Sequence, residues 1–283
     1  MKLLLLPVAL FFSVISYGQY YYNDVIANMQ GNTQYQLLRS NHIKKMKTFN
    51  YDGNGELTEG FSIEEEISGD GRKITLTTNI PNRPGSVLTS YFEKDKLKRT
   101  SEKTSELGRH NSVETNTSYE YNEKGLLQKV SSVTADTTAD DANNAEIHLW
   151  SYNDQNKPVQ MLKIKGGHDT TYINFVFDEH GNVAEEHWKR NNREMEAYYY
   201  YYDASNRLTD VVRFNTRARK LLPDYLYEYD AEGRITQMTQ VTNGGNNYFI
   251  WKYTYKPNGL KEREECFDNN KVLVGKVEYG YQD

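Results

Sequence analysis

One motif recurs along this chain and limits what it can fold into. It reads aromatic, any residue, aromatic, Asp or Asn, two variable residues, Gly or Asn, any residue, then an aliphatic. The fullest copies are Phe49–Leu57 (FNYDGNGEL), Tyr119–Leu127 (YEYNEKGLL), Phe175–Val183 (FVFDEHGNV), Tyr200–Leu208 (YYYDASNRL) and Tyr227–Ile235 (YEYDAEGRI). Trp150–Asn156 and Tyr253–Leu260 are looser copies, Ser90–Leu97 is a degenerate one, and Tyr279-Gly-Tyr281 opens a copy without completing it. The second aromatic falls at 121, 152, 177, 202, 229, 255 and 281, at separations of 31, 25, 25, 27, 26 and 26 residues.

The chemistry of one copy spells a hairpin. Aromatics two apart share one face of a strand. Asp or Asn then opens a turn by accepting from the backbone ahead of it. Gly follows where the backbone turns left-handed, and Asn156 and Asn206 are the best-tolerated replacements there. The return strand begins at the aliphatic. In the run Tyr198–Tyr202, this places Tyr198, Tyr200 and Tyr202 on one face and Tyr199 and Tyr201 on the other, with Asp203 starting the turn. A second set of turns lies between copies, at Gly166-Gly167, Asn191-Asn192, Asn215-Thr216, Asn243-Gly244-Gly245 and Asp268-Asn269-Asn270. Each repeat thus holds two strands of about nine residues, roughly 30 Å long. No segment beyond residue 18 shows helical periodicity.

The expected fold is therefore all-β, a single antiparallel meander of repeated hairpins, about 16–18 strands in one curved, extended, open sheet. A two-layer sandwich is disfavoured because the return strands carry few aliphatics; Ile235–Val241 has three in seven residues.

The ends and composition narrow the class. Lys2, the apolar run Leu3–Ile15 and Ser16-Tyr17-Gly18 read as a secretory signal peptide over residues 1–18, too short to span a bilayer. No cysteine follows it to carry a lipid. Residues 19–44 read as an N-terminal lead-in and 45–283 as the repeat domain. The location expected is periplasmic, cell-surface or secreted. Asp and Glu number 39 against 34 Lys and Arg, so nucleic acid is not an expected partner. Cys266 is the sole cysteine, so no internal disulfide is available.

The motif resembles the YD repeats of the Rhs family, whose pattern is Tyr-Asp, two residues, Gly-Arg-Leu, then a later aromatic-x-aromatic. Asp230–Ile235 (DAEGRI) and Asp203–Leu208 (DASNRL) match it best, and the resemblance runs over about residues 45–283. It implies an exported bacterial protein built on a curling β-sheet. Large members enclose a toxin in a shell. This chain lacks their terminal core motif and is far shorter, so toxin delivery does not carry over.

Catalytic signatures are missing: there is no Gly-x-Ser-x-Gly, His-Glu-x-x-His or phosphate loop. Carboxylate runs such as Glu64–Glu66 lie on strands, where neighbours face opposite ways. His180 and His187, with Asp178, Glu185 and Glu186, are the densest ligand-like group, but His180 occupies a variable turn position. Asp52–Glu56 lacks the spaced ligands of a calcium loop. No catalytic residue, metal or cofactor is assigned. A membrane barrel is disfavoured because strands such as Leu260–Phe267 are too charged to face lipid.

The aromatic rows carry the functional content. Tyr121, Tyr152, Phe177, Tyr202, Tyr229 and Tyr255, one per repeat, with Trp251, form a candidate ligand-binding face, and such a row serves equally as core. The reading is an exported non-enzymatic repeat protein that binds or scaffolds at the cell envelope, with a glycan or an envelope protein as partner. The alternative is a glycan-active enzyme that uses the same face for substrate.

Overall fold

The computed structural model describes residues 19–105, 112–136, 145–215, 219–241 and 247–283. The expected signal peptide lies outside them. Eighteen strands follow one another: β1 (Lys45–Asp52), β2 (Ser62–Ile67), β3 (Lys73–Asn79), β4 (Ser86–Glu93), β5 (Lys96–Ser105), β6 (Ser112–Tyr121), β7 (Leu127–Asp136), β8 (Ala145–Tyr152) and β9 (Pro158–Lys165). Then come β10 (Asp169–Phe177), β11 (Val183–Arg190), β12 (Arg193–Tyr202), β13 (Leu208–Asn215), β14 (Lys220–Tyr229), β15 (Ile235–Val241), β16 (Tyr248–Tyr255), β17 (Lys261–Phe267) and β18 (Leu273–Gln282). Each pairs antiparallel with its neighbours in sequence.

The sheet is not the open one expected from the sequence. β18 pairs with β1 over eight residues, from Lys45 opposite Gln282 to Asp52 opposite Gly275, and closes a barrel. The cause lies in the repeat itself. Register shifts fall beside the second aromatic at Tyr91/Phe92, Glu120/Tyr121, Ser151/Tyr152, Val176/Phe177, Tyr201/Tyr202, Glu228/Tyr229 and Thr254/Tyr255. Each bulge bends its strand and adds twist. Repeated at one place in the seven hairpins from β4–β5 to β16–β17, they curl the sheet until its first and last strands meet, and closure removes both unpaired edges.

The hairpins follow the sequence chemistry. Asp178 Oδ1 accepts from the amides of His180 and Asn182, and Asp203 Oδ1 from those of Ser205 and Arg207. The fourth turn residue is left-handed at Gly181 (φ 79°), Gly233 (φ 81°), Asn156 (φ 62°) and Asn206 (φ 59°). One copy departs from the pattern, and one turn between copies adopts it. Strand alternation puts the Phe49–Leu57 turn at the opposite rim, and that copy is inside-out: Phe49 is exposed, while Thr48 and Asn50 face inward. Asp268 belongs to that same rim and, like Asp52 in that copy, makes the motif's own turn, accepting from Asn270 and Val272, with Lys271 at φ 61° and Gly55 at φ 83°.

The other correction concerns residues 20–40, where no helix was expected. A π-helical turn, Tyr21–Ile26, runs into α1 (Ala27–Ser40), and both lie inside the barrel. The buried stripe of α1 is Asn28, Gly31, Tyr35 and Leu38, at helical spacing. Tyr35 stacks on Phe92 of β4 at 3.9 Å, and its hydroxyl donates to the Gly71 carbonyl at 2.6 Å. Leu38 packs with Ile74, Leu97 and Leu260. This segment supplies the core that a single sheet lacks.

Candidate functional site

The inward face of the barrel holds the whole aromatic row. Its hydroxyls make a regular ladder. Tyr121 donates to the Leu97 carbonyl at 2.7 Å, Tyr152 to Leu127 at 2.7 Å, Tyr202 to Val183 at 2.9 Å, Tyr229 to Leu208 at 2.6 Å and Tyr255 to Ile235 at 2.8 Å. Each acceptor is the residue that opens, or nearly opens, the previous repeat's return strand. Phe177 takes the same place without a hydroxyl. Tyr281 extends the ladder to Lys261 at 2.9 Å. Trp251 is buried on the same face. Above this row the motif's Arg links neighbouring turns. Arg207 bonds Asp203 in its own turn, donates to the Asp230 carbonyl of the next, and lies 4.9 Å over the Tyr229 ring.

The row faces the N-terminal segment. Asn28 donates to the Tyr121 hydroxyl at 3.0 Å. The π-helical turn and the residue before it send three consecutive tyrosines to different parts of the wall. Tyr20 packs on Trp188 and His148, Tyr21 on Phe175 and Tyr200, and Tyr22 on Tyr225 and Tyr227.

Two buried polar clusters lock this turn in place. Glu186 of β11 is fully buried and accepts from four donors: the Tyr20 and Tyr21 amides at 2.9 and 3.0 Å, Trp188 Nε1 at 2.6 Å and the Tyr200 hydroxyl at 2.7 Å. Burial pushes its carboxyl above the usual range, and the four donors pull it partly back. The second cluster centres on His148, whose Nδ1 meets Asp24 at 2.6 Å and whose Nε2 meets Glu146 at 2.9 Å. Burial alone would lower the imidazole, but the two carboxylates override it and raise its pKa to about 9. Glu146, despite its own burial, is lowered to about 2 by His148 and by Lys163 at 3.0 Å. Trp150 Nε1 also donates to Asp24. Glu146, His148 and Glu186 carried no signal in the repeat pattern, because they sit on strands outside the motif copies, and Asp24 precedes the first copy.

The outer wall differs. Ion pairs run along it: Lys45 with Glu64 and Glu66, Lys47 with Glu64, Lys129 with Glu120, and Lys276 with Glu278. One groove of about 480 Å³ crosses β11 and β12, lined by Glu179, His180, Ala184, Glu185, Tyr199 and Tyr201. Tyr201 is 47% exposed. The sequence cluster around His180 is divided. His187 bonds Glu185 on the outside, Glu186 points inward, and His180 is exposed in its turn. Among the described residues no group of three His, Cys, Asp or Glu could hold a metal ion.

A closed meander of tyrosine-tied hairpins has relatives. The teneurin YD-shell model matches residues 89–253, more than half of the chain. The chain belongs to the teneurin YD-shell family. Solved structures similar to this YD shell include a porin-like protein from Bacteroides uniformis, 12% identical, covering 85% of this chain and 96% of that one at a TM-score of 0.45. A second porin-like protein, from Bacteroides vulgatus, is 13% identical and covers 85% and 98% at a TM-score of 0.27. The Photorhabdus luminescens Tc holotoxin pore is 12% identical, with 85% of this chain but only 17% of that chain covered at a TM-score of 0.31. No curated protein sequence matches this YD shell.

Proposed function

We propose that this YD shell is an exported, non-enzymatic scaffold of the cell envelope, whose lumen grips a segment of its own chain and whose outer wall meets the partner. The observation that carries this reading is the filled lumen. The row Tyr121, Tyr152, Phe177, Tyr202, Tyr229 and Tyr255, with Trp251, is a binding face, and residues 20–40 are what it holds. The tyrosines left for an external ligand are those on the outside. Tyr199 and Tyr201, beside the Glu179 and Glu185 carboxylates, offer a stacking surface with hydrogen-bonding groups at its edge, the chemistry a glycan uses.

The outer wall supports a water-facing barrel. Charged side chains at a lipid-facing midplane position cost about 2–4 kcal/mol each, and here they line the strands as ion pairs. Among the described residues no helix is long and apolar enough to cross a membrane.

A glycan array with residues 19–283, followed by a hydrolysis assay on every glycan bound, tests the reading. Binding weakened about tenfold or more by Tyr199→Ala with Tyr201→Ala, and no released product, is the expected outcome. Product release by the unaltered protein would favour the glycan-active enzyme. Binding indifferent to the outer tyrosines would remove the groove.

A further inference from the structure

Beneath α1 lies a carboxyl with no partner. Glu65 of β2 points inward and is nine-tenths buried, and no hydrogen bond or ion pair reaches it from any described residue. It lines a small cavity, about 10 Å³, between β2–β4 and α1. From α1 the cavity is bounded by Gly31, Gln34, Tyr35 and Leu38; from β3 by Ile74 and Leu76; from β4 by Leu88, Ser90 and Phe92.

Among the described residues no cation faces this carboxyl. On β1 its register partner is Met46, whose neighbours Lys45 and Lys47 pair instead with Glu64 and Glu66 on the outer wall. On β18 Tyr281 lies across Met46 from it; burial raises the Tyr281 phenol and Glu65 and Glu264 raise it further, so all of this keeps Tyr281 protonated and neutral. On α1, the Tyr35 hydroxyl is turned to the Gly71 carbonyl, and Arg39 pairs with Asp95 at the exposed rim. Glu186 shows the contrast, a buried carboxylate with four donors where Glu65 has none.

We infer that Glu65 is a proton sensor for the lumenal segment: α1 is seated while the carboxyl is neutral and loosened when it ionises. A neutral carboxylic acid fits this apolar niche, whereas a carboxylate there has neither counter-charge nor donor. Withdrawing α1 opens the cavity to water and rehydrates the charge. Burial lifts the Glu65 pKa to about 7, so the transition falls near neutrality. The linkage runs one way. A carboxyl raised from its ordinary value of 4.5 favours the seated state most below that value, and the preference declines as pH rises to about 7.

Hydrogen exchange on the full chain, corrected for intrinsic rates, reads this directly. From pH 5 to pH 8, protection of α1 amides is expected to fall on the order of a hundredfold relative to amides of β10–β12. Glu65→Gln, which cannot ionise, is expected to abolish that difference. Equal pH profiles in the two proteins, or no fall in the unaltered one, would overturn the inference. If the variant does not fold, a carbon-detected titration of Glu65 in the unaltered protein decides. A midpoint near 7 that coincides with loss of α1 protection supports the sensor, and a midpoint near 4.5 rejects it. The result is independent of glycan binding, so either reading can fail alone.

Discussion

The Tyr229 hydroxyl donates to the Leu208 carbonyl at 2.6 Å, and one repeat later the Tyr255 hydroxyl makes the equivalent bond to Ile235 at 2.8 Å. The second aromatic of the motif thus ties each hairpin to the one before it, beside the bulge that bends the strand. A row of phenylalanines would pack as well but would lack the tie. Tyr229→Phe is expected to cost about 1 kcal/mol, and Tyr229→Phe with Tyr255→Phe about twice that. Urea unfolding midpoints of the three proteins check it; an unchanged double variant would show that the ladder is incidental.

Gly233 holds φ at 81° with no heavy atom near the place of a Cβ, so backbone strain alone decides what is tolerated there. Asn already occupies the equivalent position at Asn156 and Asn206. Gly233→Asn should be mild, and Gly233→Val should cost about 1–2 kcal/mol more, since a β-branched residue is disfavoured in this region. Thermal melts of the two variants make the comparison, and equal melting temperatures would contradict the turn assignment.

Glu186→Ala leaves four buried donors without an acceptor. The expected loss is about 3 kcal/mol or more. It should appear first as loss of protection at Tyr20 and Tyr21, because their amides bond the carboxylate directly. Uniform loss over all strands with residues 20–26 still protected would show that the cluster does not hold the segment.

His148 gives a second pH dependence of defined sign. Its pKa is raised from 6.5 to about 9 by Asp24 and Glu146. Its contribution is therefore complete below pH 6.5 and disappears as pH rises through about 9. His148→Gln should flatten stability over that window. Urea midpoints from pH 6 to pH 10 read it, and parallel curves for the two proteins would refute the assignment.

The hairpins were legible because their chemistry is local. An Asp that accepts from two amides ahead, and a Gly or Asn four positions into the turn, need no information from the rest of the chain. The alternation of Tyr198–Tyr202 was equally readable: Tyr198 and Tyr200 are buried and Tyr201 is exposed. Closure was not legible, because the pairing of Thr48 with Tyr279 joins the two ends of the chain and depends on curvature summed over eighteen strands. The lumenal helix was hidden for another reason. Its buried stripe uses Asn28, which donates to the Tyr121 hydroxyl, and Gly31, which lines the cavity beneath the helix, so a search for apolar periodicity passes over it. The Phe49–Leu57 copy misled by its likeness. The motif specifies a turn, not which rim the turn occupies or which face its aromatics take.

The closed barrel is the claim on which the rest depends, and β1 and β18 test it most directly. Phe49 and Glu278 lie opposite one another across that seam. Directly opposed antiparallel residues are about 4.5–5.5 Å apart at Cα, within reach of a disulfide. The native Cys266 is buried, and burial pushes its thiol up to about 12, which keeps it out of exchange. Phe49→Cys with Glu278→Cys, oxidised at low protein concentration and mapped by mass spectrometry, should give one intramolecular 49–278 crosslink in nearly all molecules. Free thiols, or crosslinks formed only between molecules, would mean that the sheet is open and that its two ends do not meet.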